Sequence, residues 1–203
     1  MATVRSKYVE LQVEGRAMRA WLSHPAESSP RAALMVFQEA FGVNAHIRNV
    51  AERFAGEGYA ALAPELFHRT VPGFEGDYAN FSACMPHVQA LTEAGMQADV
   101  RAAFEWIQCE VKGIGGKLGC VGYCMGGRVS FLANASVPVK AAVSYYGGGI
   151  APGGRTPGLL DRAGTLNAPM LFFWGLRDQH IGIDQPRAVA DALRQAGKTF
   201  VST

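Results

Sequence analysis

The sequence predicts a three-layer α/β sandwich built on a mostly parallel sheet, and three observations carry that expectation. Short, continuous apolar runs alternate with helix-spaced segments along most of the 203 residues. Two alternating segments near the N-terminus read as an antiparallel hairpin. A glycine-flanked turn, Gly122-Tyr123-Cys124-Met125-Gly126-Gly127, joins one apolar run directly to a helix-like stretch.

The elements follow in order. Tyr8–Val13 and Met18–Leu22 alternate in polarity, with Glu14-Gly15 between them as the hairpin turn. A short loop rich in Ser and Pro spans Pro25–Pro30. Ala33–Phe37 is apolar throughout, as a buried parallel strand should be. Ala45–Gly56 places Ile47, Val50 and Phe54 on one helical face, with Gly58 near its end. Tyr59–Ala63 is another buried strand, stopped by Pro64. Thr70–Pro86 carries two Pro and two Gly and is expected to be an irregular loop or cap. Val88–Ile107 has apolar residues at 88, 91, 100, 103, 104 and 107, which predicts a single helix.

Leu118–Val121 is the strand before the glycine-flanked turn, and Arg128–Ala135 continues as helix after it. Ala141–Tyr146 reads as a strand running into Gly147-Gly148-Gly149, and Ala151–Thr165 as a second, glycine-rich loop. Pro169–Gly175 is a strand, Gln185–Ala196 a helix, and Lys198–Val201 the start of one more strand before Thr203. No internal repeat or composition shift divides the chain, so residues 1–203 are expected to form a single domain.

Composition narrows the function. The net charge is +2 with no block of like charges, so nothing calls for nucleic acid or an anionic membrane surface. No apolar run is long enough to span a bilayer, and Met1–Lys7 does not read as a signal peptide. The four cysteines, at 84, 109, 120 and 124, have neither disulfide-framework nor metal-ligand spacing. Reduced thiols and a cytoplasmic setting are expected, with no metal and no cofactor. The expected partner is a small molecule, and the expected state a monomer or weak homo-oligomer.

The turn around Cys124 carries the chemistry. A nucleophile lifted off a strand end by so sharp a turn crowds its neighbours, so the positions two before and two after it favour glycine. The following helix points free N–H groups and its positive end at the thiol, which should lower the thiol pKa and supply oxyanion donors. Those donors would be the backbone N–H groups of Met125 and Ala40. Ligands of such sheets gather at the carboxyl ends of the strands, where Glu39, Cys124 and Asp178 all fall. Asp178 fits the acid that orients a catalytic base, or else it is a solvated loop carboxylate. Among the five histidines only His180 follows the acid, and it lies too close to Asp178 in the same loop to reach Cys124 independently. A serine nucleophile is not expected, because Ser130 and Ser144 are wrongly placed.

These residues resemble the dienelactone hydrolase (carboxymethylenebutenolidase) family of the α/β-hydrolase superfamily. The resemblance rests on Gln38–Asn44, Gly58–Ala61, Pro64–Phe67, Gly119–Gly127, Tyr145–Gly147 and the Asp178 loop. It implies an α/β-hydrolase fold and a Cys-His-Asp triad in which Cys124 is the nucleophile and Asp178 the acid. It also implies that Glu39 pairs with the resting cysteine and moves away when substrate binds. Glu39 read alone could equally be a helix N-terminal charge.

Two departures from the family pattern stand out. The family's histidine comes one strand later, followed by a closing helix. The chain is therefore expected to be a domain truncated at its C-terminus, or a naturally shortened, inactive member. One sheet face should then be left uncovered. The family's substrate-carboxylate arginines also lack counterparts, because Val71–Ala98 contains no Lys or Arg but does contain Glu75, Asp77 and Glu93. Arg69 is the nearest cation and a candidate substrate contact, as is Tyr146, although solvation and aromatic packing explain them too. The expected function is cleavage of an ester or lactone through a cysteine nucleophile. The alternative is a catalytically impaired, thiol-bearing binding or regulatory module of the same fold.

Overall fold

The structure is a computed structural model and describes residues 3–153 and 157–203. The hairpin forms from β1 (Val4–Val13) and β2 (Arg16–Pro25), joined by a turn in which Glu14 and Gly15 both have positive φ. That pairing of left-handed residues matches the strand twist. The remaining strands are β3 (Ala32–Phe37), β4 (Tyr59–Pro64), β5 (Leu118–Tyr123), β6 (Ala142–Tyr145), β7 (Met170–Phe173) and β8 (Phe200–Ser202). They make one sheet of order β1-β2-β4-β3-β5-β6-β7-β8. Pairing is antiparallel for β1–β2 and β2–β4 and parallel from β4 to β8, so the mixed sheet matches the expected class.

Helix α1 (Ala45–Gly56) starts where Asn44 accepts a hydrogen bond from the Ile47 amide and buries Ile47, Val50 and Ala51 on one sheet face. The opposite face is covered by α3 (Glu93–Glu110), α4 (Met125–Ser136) and α5 (Asp184–Gln195). Phe37, Phe131 and Phe172 are fully buried there, each contributing about 1.5–3 kcal/mol by removal from water. On the α1 face, Val143, Tyr145, Leu171 and Phe173 of β6 and β7 are only half-buried, and Val201 of β8 is exposed. A 3-10 turn of helix spans Leu160–Thr165 in the second loop; residues 154–156 of that loop lie outside the described residues.

The long loop differs from its expected form. Its second half is a helix, α2 (Phe81–Gln89), begun where Asn80 accepts from the Ala83 amide and carrying Pro86 inside. The single helix expected over Val88–Ile107 is two: α2 ends at Ala90, and Thr92 caps α3 by accepting from Gly95. Thr92 followed by Glu93 is a helix start that the apolar spacing masked.

Candidate active site

Four strand ends meet at one rim. Phe37 of β3 lies opposite Gly122 of β5, so Gln38-Glu39-Ala40 leaves the sheet beside the turn that carries Cys124. Tyr123 lies opposite Tyr145, which brings Tyr146 alongside. Asp178 follows from β7 on the same edge.

Cys124 adopts φ 54° and ψ −120°, a conformation that L residues avoid and that costs on the order of 1–3 kcal/mol. Its amide donates to the Tyr145 carbonyl at 3.0 Å, and its carbonyl accepts from Gly127 at 2.8 Å. The glycines on either side are required by space. A Cβ on Gly122 would sit 1.8 Å from the Gly126 carbonyl oxygen, and one on Gly126 would sit 2.3 Å from that of Phe37. The Gly126 backbone therefore presses directly on the strand end that leads to Glu39 and Ala40.

The half-buried sulfur lies under the influence of the Met125 and Ala40 amides. The thiol pKa is nonetheless raised, first by burial, while the Met125 amide lowers it, the Glu39 charge raises it, the Ala40 amide lowers it and the Asp178 charge raises it. This corrects the expectation that the helix N-terminus lowers it: burial together with two carboxylates outweighs the amides.

Glu39 is held by two phenols. Tyr78 donates to Oε2 at 2.7 Å, and Tyr146 donates to Oε1 at 3.3 Å. The Asn44 side-chain amide in turn donates to the Tyr78 hydroxyl at 3.3 Å. Burial first, then Glu39, pushes both phenols' pKa values up. Tyr146 itself has φ 41° and is fixed by its amide donating to Phe173. Tyr78, like Tyr146, reads from the sequence as a residue that could line the pocket; its bond to Glu39 was not legible there.

Asp178 accepts from the His180 and Ile181 amides through one oxygen, Oδ1, at 2.8 and 3.1 Å. The His180 ring is exposed and makes no hydrogen bond among the described residues. The other rings serve elsewhere: His24 meets the Pro25 carbonyl, His46 lies edge-on to Tyr123, His68 meets Asp99 and His87 meets Thr70.

Arg69 is not brought to the sulfur. Its guanidinium donates to both oxygens of Asp99, at 2.7 and 2.9 Å, and reaches Glu14 at 3.3 Å. Asp99 is fully buried and also meets His68 at 3.0 Å, so Arg69 neutralises an interior carboxylate. Among the described residues no group of His, Cys, Asp and Glu is arranged to hold a metal, and no helix is long and apolar enough to cross a membrane.

A family model, the dienelactone hydrolase family, matches residues 18–202. The chain is 32% identical over 195 residues to a Synechocystis protein provisionally named carboxymethylenebutenolidase, covering 94% of this chain and 79% of that one. It is 31% identical over 204 residues to a carboxymethylenebutenolidase of Pseudomonas putida, covering 94% and 83%. A crystal structure from Klebsiella pneumoniae, provisionally named a dienelactone hydrolase, superposes with a TM-score of 0.87 at 30% identity, covering 99% of this chain and 85% of that one.

Proposed function

The chain belongs to the dienelactone hydrolase family, and from that premise we propose that it cleaves an ester or lactone with Cys124 as the nucleophile. The observation that carries this reading is the half-buried sulfur at a strained strand-to-helix turn, between glycines that the crowding requires.

The steps balance as follows. The thiol proton passes to Glu39, the carboxylate whose charge acts most on the sulfur. The sulfur attacks the carbonyl carbon, and the oxyanion is held by the two amides. Collapse breaks the bond to the leaving oxygen, which takes the proton, and leaves a thioester on Cys124. Water then attacks the thioester, releasing the acid and restoring the thiol. Glu39, emptied of its proton, takes one from that water and returns it to the departing sulfur; Asp178 keeps the acid role that the family resemblance implies, and no histidine ring hydrogen-bonds it among the described residues. Tyr146 contributes by fixing Glu39.

The test is hydrolysis of a neutral activated ester such as p-nitrophenyl acetate. Turnover is expected to disappear after one equivalent of iodoacetamide has alkylated Cys124, and in Cys124→Ala. Turnover that survives both treatments overturns the assignment. Ligand binding with no acyl transfer would instead identify a thiol-bearing binding module.

A further inference from the structure

We propose that this site selects uncharged esters or lactones bearing a bulky apolar or aromatic group, which packs on Phe41, Tyr78 and Phe81, and that it disfavours anionic ones. The inference rests on the reading of Cys124 as the reacting nucleophile and names the substrate class that nucleophile serves.

The first observation is an aromatic shelf. Phe41 directly follows Ala40, whose amide meets the sulfur, and its ring centroid lies 4.2 Å from that of Tyr78 and 5.9 Å from that of Phe81. Tyr78 cannot swing away freely, because its hydroxyl is tied to Glu39 and Asn44. Yet Tyr78 is 54% exposed and Phe81 51%. Among the described residues, the large exposed hydrophobic side chains are Tyr8, Tyr78, Phe81, Leu176, Ile183 and Val201. Two of these six, Tyr78 and Phe81, belong to the shelf, and Leu176 and Ile183 stand on the connection after β7 that also carries Asp178. Exposed aromatic surface held in place beside Glu39 marks a place where an apolar group docks.

The second observation is charge. Glu39 and Asp178 both act on the sulfur as negative charges. Arg48 is paired with Glu75, Arg69 with Asp99 and Arg162 with Glu93, whereas Arg128 donates to the neutral Gly149 carbonyl and keeps its charge. Arg177 precedes Asp178 but is exposed, where salt screens its charge within about 10 Å. An anionic group arriving at the sulfur meets the negative charges of Glu39 and Asp178.

Thiol alkylation tests this without requiring turnover. Rates at Cys124 are measured by peptide mass spectrometry, with the exposed Cys109 as reference in the same chain. The Cys124-to-Cys109 rate ratio is expected to be about tenfold higher for iodoacetamide than for iodoacetate, and the gap to narrow at high salt. N-benzyl iodoacetamide is expected to outpace iodoacetamide at Cys124, and Phe81→Ala to cut that advantage about three- to tenfold. In parallel, p-nitrophenyl butyrate is expected to exceed p-nitrophenyl monosuccinate in kcat/KM. Parity or preference for the anionic reagents, or a benzyl advantage untouched by Phe81→Ala, overturns the inference. Ester turnover that favours the anion overturns it while leaving the hydrolase reading intact. Charge discrimination in alkylation with no acylation by either ester does the reverse.

Discussion

Tyr78 donates its phenolic hydrogen to Oε2 of Glu39 at 2.7 Å, and this bond ties the long loop after β4 to the strand end beside the nucleophile. The same two segments meet again where the Gly76 amide donates to the Phe41 carbonyl and where Arg48 pairs with Glu75. Glu39 is thus a fixed charge next to the sulfur.

Removing that charge has a defined consequence. Glu39 raises the Cys124 pKa, so Glu39→Gln is expected to lower it. The thiolate fraction at a given pH rises, and the pH midpoint of Cys124 alkylation moves down. A pH series of iodoacetamide labelling measures it. An unchanged or raised midpoint contradicts the geometry.

Arg69 and Asp99 are expected to govern stability and not substrate choice. Asp99→Ala leaves the Arg69 guanidinium without its main partner inside the fold, at a cost of about 3–5 kcal/mol. Urea unfolding reads this directly. Arg69→Gln is expected to lower the urea midpoint while the preference between neutral and anionic esters stays where it was. A changed preference would restore Arg69 as a substrate contact.

The elbow glycines make a third case. Gly126→Ala drives a methyl to 2.3 Å from the Phe37 carbonyl and 2.5 Å from that of Gln38. The strand end must shift or the helix must tilt, and a loss of about 2–4 kcal/mol is expected, at the upper end of single substitutions. A thermal or urea scan that matches the unsubstituted protein would mean that the two backbones are not in contact.

The parts of the structure that were legible in the sequence share a physical cause. The bounds of α1 follow from a clear apolar face and Gly58 after its end. The elbow follows from steric crowding that only glycine relieves. What escaped reading depends on distant partners. Helix α2 was hidden because Pro86 and the glycines before it outweighed a short segment with little periodicity. The break at Thr92 was hidden because Val88 and Leu91 before it and Val100, Ala103 and Ile107 after it each keep helical spacing and were read as one run. The ion pair between Arg69 and Asp99 spans 30 positions, and the bond from Tyr78 to Glu39 spans 39. The raised thiol pKa was unreadable because it depends on burial, whereas the helix N-terminus that should lower it shows in the sequence.

Alkaline pH offers a fourth prediction. The Cys120 thiol is fully buried beside Ser130, and burial pushes its pKa from 9.0 up to about 12. Tyr123 is raised from 10.0 to about 12, again first by burial. Below pH 9 the unfolded chain keeps both protons and no stability is lost. Above that the unfolded state releases them first, so stability falls as pH rises towards about 12. Urea midpoints taken at rising alkaline pH should decline, and less steeply in Cys120→Ala. Equal slopes would show that Cys120 is not the titrating group.

The most direct test of the account is peptide mapping after brief mixing with p-nitrophenyl butyrate. One butyryl group is expected on Cys124, with p-nitrophenolate release lost in Cys124→Ala. An acyl group on another residue, or release that persists without the sulfur, would contradict the assignment of Cys124 as the nucleophile.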